Sequence, residues 1–115
     1  GPSSILLAVM ASGLNGQSFA FNGYLPVKGP ERQKAIRFFE RRAHQEHQSQ
    51  LFIEAPYRNQ KLAEELLQTL QAETRLTIAM DLTAPTEWIR TLRVAEWRKT
   101  KLPELNKRPA IWIIG

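Results

Sequence analysis

The sequence has no cysteine among its 115 residues and no charged residue before Lys28. The lack of cysteine excludes a disulfide scaffold, a cysteine zinc site, an iron–sulfur cluster and a cysteine nucleophile, and it fits a reducing cytoplasm. The uncharged start includes an apolar run over residues 5–11, but no basic residue precedes that run, and Ser12 and Gly13 interrupt it. We therefore predict a buried helix there, with neither a targeting segment nor a membrane span, and a cytoplasmic location.

Several motifs that carry chemistry are also missing. No G-x-G-x-x-G follows a strand pattern, and neither a G-x-x-x-x-G-K-[ST] loop nor a G-x-S-x-G elbow occurs. The histidines are His44 and His47, and together with Glu40 they have a helical spacing that a metal ion could use. Because histidine is also favourable in the last turn of a helix, we predict no metal site.

The composition is that of one globular domain, with 43% hydrophobic and 23% charged residues. The 16 Lys and Arg exceed the 11 Asp and Glu, and the resulting charge of +5 is compatible with a polyanionic partner. Six cations lie in or just before one predicted helix, where they either contact phosphates or form a solvated face, and the sequence leaves both interpretations open. They are Lys28, Arg32, Lys34, Arg37, Arg41 and Arg42.

Glycine and proline punctuation, together with hydrophobic periodicity, predicts alternating helices and strands. Helices are expected over residues 2–12, 30–48 and 59–71, with a short helical turn over 94–100. Strands are expected over residues 17–24, 51–53, 76–82, 87–93 and 110–114, and the third and fourth form an antiparallel hairpin. This order predicts an α/β protein with a mixed sheet of about five strands and helices packed on it.

The segment Glu54-Ala55-Pro56-Tyr57-Arg58 follows a predicted strand. Ligands of α/β proteins collect at the carboxyl ends of strands, and Pro56 ends the ladder there because it lacks a backbone donor. The Glu54 carboxylate therefore either accepts hydrogen bonds from a ligand or forms a local ion pair with Arg58.

The three tryptophans, Trp88, Trp97 and Trp112, are predicted to lie mainly in the core. An alternative is that Trp88, Ile89 and Trp112 form an exposed apolar patch, which would favour a structural or dimerising domain. A homodimer is therefore included among the expected assemblies.

Segments spread in order along nearly the whole chain resemble the second domain of the tetrapyrrole (corrin/porphyrin) methylase family. They are Gly1-Pro2-Ser3-Ser4, Met10-Ala11-Ser12-Gly13-Leu14, Phe19-Ala20-Phe21-Asn22-Gly23-Tyr24-Leu25-Pro26, Lys28 with Glu31-Arg32, and Phe52-Ile53-Glu54-Ala55-Pro56-Tyr57-Arg58. The resemblance implies a protein of two α/β domains that holds S-adenosylmethionine in the cleft between them. Residues 1–115 would be its C-terminal domain, and the N-terminal domain, absent from this chain, would be its partner.

The resemblance also implies site residues by position. Ser3 would lie near the hinge between the domains and close to the cofactor. The backbone of three segments would border the cofactor, namely Glu54, Ala55 and Pro56, then Leu82 and Thr83, then Pro109 and Ala110. Lys28, Arg32 and Arg58 would face RNA.

The implied activity is methyl transfer to ribosomal RNA, at the ribose 2′-hydroxyl of a cytidine in the small subunit. No catalytic residue is assigned, and this chain alone is expected to be inactive because half of the cleft is missing. Two departures from the family pattern, Tyr57 in place of His and Asp81-Leu82-Thr83-Ala84-Pro85 in place of Glu-Leu-Thr-Lys, keep other substrates open. The alternatives are a tetrapyrrole or other methyl acceptor, or a non-enzymatic basic module that binds RNA.

Overall fold

The computed structural model describes residues 2–13 and 18–115, without the side chains of residues 2–4, 6 and 10. In chain order the elements are α1 (Pro2–Ser12), β1 (Phe19–Tyr24), α2 (Gly29–Glu46), β2 (Ser49–Ile53), a 3-10 turn (Pro56–Arg58), α3 (Asn59–Thr69), β3 (Arg75–Met80), β4 (Trp88–Arg93), α4 (Val94–Trp97) and β5 (Ala110–Ile114). None of the helices in this described part is long and apolar enough to cross a bilayer.

The described strands form one mixed sheet in the order β1-β2-β5-β3-β4. β1 and β2 are parallel, whereas β5 is antiparallel to both β2 and β3, and β3 and β4 form the predicted antiparallel hairpin. The pairing of β1 with β2 shifts between Phe21 and Tyr24, where Gly23 has a φ of 67°. Glycine suits this irregularity because it adopts positive φ without a side-chain clash. The predicted α/β class and mixed sheet are confirmed.

Alternating side chains on the strands give the sheet two apolar faces. On one face Phe52, Ile78 and Trp112 pack with residues of α2 and α3, and on the other Leu51, Ala79, Ile111 and Ile113 pack with Ala8 and Val9 of α1. The tryptophan prediction is confirmed for Trp97 and Trp112, which are both buried, whereas Trp88 is half-buried. Because Trp112 is buried, the alternative patch that includes it does not form.

Several element ends differ from the sequence prediction by one to three residues, and three of these differences have a clear physical reason. β2 starts at Ser49 instead of residue 51, because Ser49 and Gln50, though polar, are buried and pair with β1. α2 stops at Glu46 because His47 adopts the left-handed region, with a φ of 50°. β3 stops at Met80 because Asp81 also has a positive φ, 51°, which ends the extended backbone. The predicted start of β1 at residue 17 lies outside the described residues.

Candidate functional site

One edge of the sheet collects the ends of all the described strands. The parallel and antiparallel pairings bring the carboxyl ends of β1, β2 and β3 to this edge, together with the amino ends of β4 and β5. A cavity of about 740 Å³ opens here on the α1 face of the sheet. Its lining is mostly apolar and consists of Ile5, Phe21, Ile53, Ala79, Asp81, Leu82, Ala84, Pro109, Ala110 and Ile111.

The lining of the cavity includes three of the eight predicted cofactor residues. Leu82, Pro109 and Ala110 line it, although they come from two segments far apart in sequence. Thr83 lies between two lining residues, and its backbone N–H donates to Glu87 Oε1 at 2.8 Å. Ile53 lines the cavity as well, whereas Glu54, Ala55 and Pro56, which follow it in the chain, are not among its lining residues. Ser3 lies in the first turn of α1, and its side chain is outside the described part of the structure.

The Glu54 side chain is buried, and protein groups occupy both of its carboxylate oxygens. One oxygen accepts a hydrogen bond from the Ala55 backbone N–H at 2.8 Å and lies 3.4 Å from Arg58 Nη1. The other oxygen forms an ion pair with Arg32. The predicted local pair with Arg58 is therefore present, and Arg32 adds a second partner from 22 residues away.

Arg32 joins three parts of the fold, and its side chain is 1% exposed. Besides pairing with Glu54, it donates from Nε to the Pro26 carbonyl at 2.7 Å and lies 3.4 Å from Glu65 on α3. A buried charge needs such partners, because desolvation without them is costly. The RNA contact proposed for Arg32 from the sequence stays a prediction, and in this structure its guanidinium faces the protein interior.

Lys28 and Arg58, the other two predicted RNA contacts, lie at the same edge of the sheet as the cavity. Lys28 is exposed at the start of α2, and the Arg58 side chain is 34% exposed. The Arg58 guanidinium lies 4.7 Å from the centre of the Tyr57 ring and donates to the Tyr57 hydroxyl at 2.7 Å. The position at which the family pattern has histidine therefore carries a phenol that orients a cation.

Asp81, which lines the cavity, forms an ion pair with Arg108, and we call this pair the clamp. Arg108 Nε donates to Asp81 Oδ2 at 2.7 Å, and the Asp81 backbone N–H donates to the Pro109 carbonyl at 3.0 Å. Thr83, two residues on, has a φ of 68°, which is unusual for a β-branched residue. Sequence reasoning did not assign roles to Asp81 and Arg108. Asp81 directly precedes the predicted cofactor segment Leu82-Thr83, and Arg108 directly precedes Pro109-Ala110. This proximity in sequence is the feature from which their place at the site could have been predicted.

The clamp predicts a pH dependence of stability. The Arg108 guanidinium, as donor to Asp81, holds the pKa of that carboxyl below its ordinary value of 3.8, with a smaller contribution from the Thr86 hydroxyl. The folded pKa is thus below the unfolded one, so this stabilisation is complete above the unfolded pKa and is lost as the pH falls through the folded pKa. Urea unfolding at a series of pH values should therefore show the difference between wild type and Asp81→Asn shrinking below about pH 4. A difference that persists unchanged under acid would contradict the clamp.

The histidine-bearing end of α2 is occupied by structural contacts. Glu40 is buried and accepts from the Gln71 backbone N–H at 2.8 Å and from the Thr74 hydroxyl at 2.5 Å. His44 Nε2 lies 3.4 Å from the same hydroxyl. Among the described residues no group of three potential metal ligands is found.

Comparison with known proteins gives relatives of one kind. Ribosomal RNA small subunit methyltransferase I of Vibrio cholerae is 30% identical over 96 residues, which are 84% of this chain and 32% of that protein. The protein of the same name from Pseudomonas aeruginosa is 29% identical, over 84% of this chain and 33% of its own length. The protein of the same name from Synechocystis is 32% identical, over 83% of this chain and 33% of its own length. The chain thus spans about a third of these relatives, and no family model matches it.

A solved structure shares this fold. The methyltransferase CobJ superimposes with a TM-score of 0.62 at 16% identity, over 96% of this chain and 46% of that one. Uroporphyrin III C-methyl transferase from Thermus thermophilus gives a TM-score of 0.49 at 21% identity, over 94% of this chain and 47% of that one. The sequence relatives and the fold shared with CobJ confirm the predicted resemblance to the second domain of the tetrapyrrole (corrin/porphyrin) methylase family.

Proposed function

We propose that the chain is the C-terminal domain of an S-adenosylmethionine-dependent methyltransferase that modifies ribosomal RNA at the ribose 2′-hydroxyl of a cytidine in the small subunit. The observation that carries this proposal is the meeting of Leu82 and Pro109-Ala110, two predicted cofactor segments, at one cavity beside the end of β2. The names of the sequence relatives support RNA as the acceptor, and the charge of +5 is compatible with it.

The cavity suits the cofactor in size and chemistry. Its volume of about 740 Å³ lies within the range of small-molecule sites. The aliphatic walls suit a flat purine, and the strand ends supply backbone groups for its polar edge. Among the described lining residues, Asp81 supplies the one carboxylate, which favours a hydroxyl or a cationic group nearby. S-Adenosylmethionine supplies, when bound, a methyl group activated on a sulfonium.

The work of this chain is to bind and to orient. Methyl transfer depends on alignment of donor and acceptor, and the clamp of Asp81 with Arg108 ties the segment after β3 to the segment before β5, both of which line the cavity. A ribose hydroxyl also needs a general base, for which a carboxylate already paired with arginine is poorly suited. Glu54 has two arginine partners and Asp81 has one, so we assign the role of base to neither.

Two arrangements remain part of the proposal. The first is the N-terminal domain, which completes the cleft and without which residues 1–115 should be inactive. The second is a homodimer in the cytoplasm, which would need a surface other than the patch of Trp88, Ile89 and Trp112, because Trp112 is buried. A tetrapyrrole or other methyl acceptor is the alternative substrate, and it rests on the resemblance to the family.

Calorimetric titration of S-adenosylmethionine into this chain and into the full protein that carries it tests the proposal. We expect tight binding to the full protein, weak binding to the chain and methyl transfer to small-subunit ribosomal RNA by the full protein alone. Turnover by residues 1–115 would refute the shared cleft, and a full protein that does not bind the cofactor would refute the methyltransferase assignment. Transfer to a tetrapyrrole but not to RNA would favour the alternative substrate.

A further inference from the structure

The outward side of α2 carries a stripe of cations around one aromatic ring. Lys34, Arg37, Phe38 and Arg41 are spaced three and four residues apart and are all exposed, and we call them the outer stripe. At about 100° per residue they span one side of the helix. The buried residues Ile36 and Ala43 occupy the opposite side, so the stripe points away from the sheet.

The three cations of the outer stripe are unpaired. Within the described residues, no carboxylate oxygen lies within 4.0 Å of Lys34, Arg37 or Arg41. Their neighbour Arg42, by contrast, pairs with Glu46 at 2.8 Å. The stripe therefore presents three positive charges that form no ion pair within the described part of the fold. These charges are available to attract an anionic partner.

Phe38 lies within this charged surface and is 49% exposed. Its ring contacts the Phe39 ring edge-on, with centroids 5.1 Å apart, and this contact helps to hold the Phe38 side chain in place. A pocket of about 370 Å³ opens beside it and is lined by Phe38, Arg41, Arg42, Gln45 and Glu46. A single exposed phenylalanine is common on proteins, but here the ring borders a pocket among guanidinium groups. A nucleobase suits such a place, because its face stacks on the ring while its phosphates meet the cations.

We propose that the outer stripe is an RNA contact that holds an unpaired nucleotide on Phe38 and the adjoining backbone on Lys34, Arg37 and Arg41. The proposal rests on the proposed function. α2 starts beside Lys28 at the edge of the sheet that carries the cavity and rises 1.5 Å per residue, so Arg41 lies about 20 Å along it. The RNA recognised would therefore extend well beyond the methylated nucleotide.

RNA binding by the full protein that carries this chain tests the contact. The probe is small-subunit ribosomal RNA transcribed in vitro, with affinity measured over a range of salt concentrations. In the double variant Arg37→Gln, Arg41→Gln, the slope of log affinity against log salt should be shallower by about 1.4, as for two lost contacts to a single strand. Phe38→Ala should weaken binding about tenfold and leave the slope unchanged, because stacking releases no counterions.

The matched control is Arg90→Gln, Lys99→Gln, which removes two exposed cations near β4 and α4. This control should leave the slope near the wild-type value, and every variant should bind S-adenosylmethionine as wild type does. The stripe would be overturned as an RNA contact by either of two results. One is that the slope of log affinity against log salt becomes as shallow in the control as in the Arg37, Arg41 double variant, and the other is that Phe38→Ala binds RNA with wild-type affinity. If the stripe variants bind RNA as wild type does but no longer bind intact small ribosomal subunits, the stripe contacts a protein, and the proposal of an RNA contact is overturned. If wild type neither methylates nor binds the RNA, the proposed function itself fails.

Discussion

Glu54→Gln is expected to lower the free energy of unfolding by about 3–5 kcal/mol, the usual cost of removing one partner from a buried ion pair. The side chains of Arg32 and Glu54 are 1% and 2% exposed, so water does not replace the lost carboxylate. The substitution leaves the Arg32 charge buried, with the more distant Glu65 as its remaining carboxylate partner. Urea unfolding of wild type and variant at neutral pH measures the difference.

The matched control for this effect is Glu46→Gln, which breaks the exposed pair with Arg42. It should cost no more than about 0.5 kcal/mol, because solvent screens surface pairs. The double variant Arg32→Met, Glu54→Gln should recover part of the lost stability, since no unpaired charge remains. If Glu54→Gln costs as little as the control, the Arg32 guanidinium is hydrated in solution and the buried pair does not exist.

Ala84→Trp is expected to reduce the affinity of the full protein for S-adenosylmethionine at least about thirtyfold, which corresponds to roughly 2 kcal/mol. Ala84 lines the cavity and is itself exposed in the turn after β3. An indole at this position would fill space that the cofactor needs, while the core stays unchanged. Calorimetric titration gives the affinity, and the thermal midpoint reports whether the fold is intact.

The same substitution at Ala72 provides the control, because Ala72 is exposed in the turn before β3, at the opposite edge of the sheet. Ala72→Trp should bind the cofactor with wild-type affinity. Equal affinities of Ala84→Trp and Ala72→Trp would show that the cofactor does not occupy this cavity. The site would then have to be sought elsewhere on the domain.

The sequence predicts the elements of this fold better than it predicts the contacts between them. α2 and α3 are long and periodic, and the hairpin of β3 and β4 has a proline turn, so local signals suffice for them. Arg32 shows the limit. Arginine is usually exposed, so its place in a row of cations favours a surface interpretation, and its burial depends on Glu54 and Glu65, which come from other elements.

The same reasoning applies to the candidate site. The resemblance to a family selected Leu82, Pro109 and Ala110, and the sheet topology brings them together. The clamp of Asp81 with Arg108 joins residues 27 positions apart, and no local pattern indicates which arginine the aspartate will meet. The start of β2 was missed because Ser49 and Gln50 are polar, and only their pairing with β1 reveals them as strand residues.

The central position of β5 has a consequence for the order of folding. This strand is the last along the described chain, yet it lies between β2 and β3. Until it is synthesised, β1 with β2 and the hairpin of β3 with β4 are two separate pieces, each with an open hydrogen-bonding edge. Such edges invite aggregation, and closing them requires contacts of long sequence separation, which form slowly. We therefore expect nascent chains that stop short of residue 110 to need protection by chaperones, and the domain to become compact in one late step.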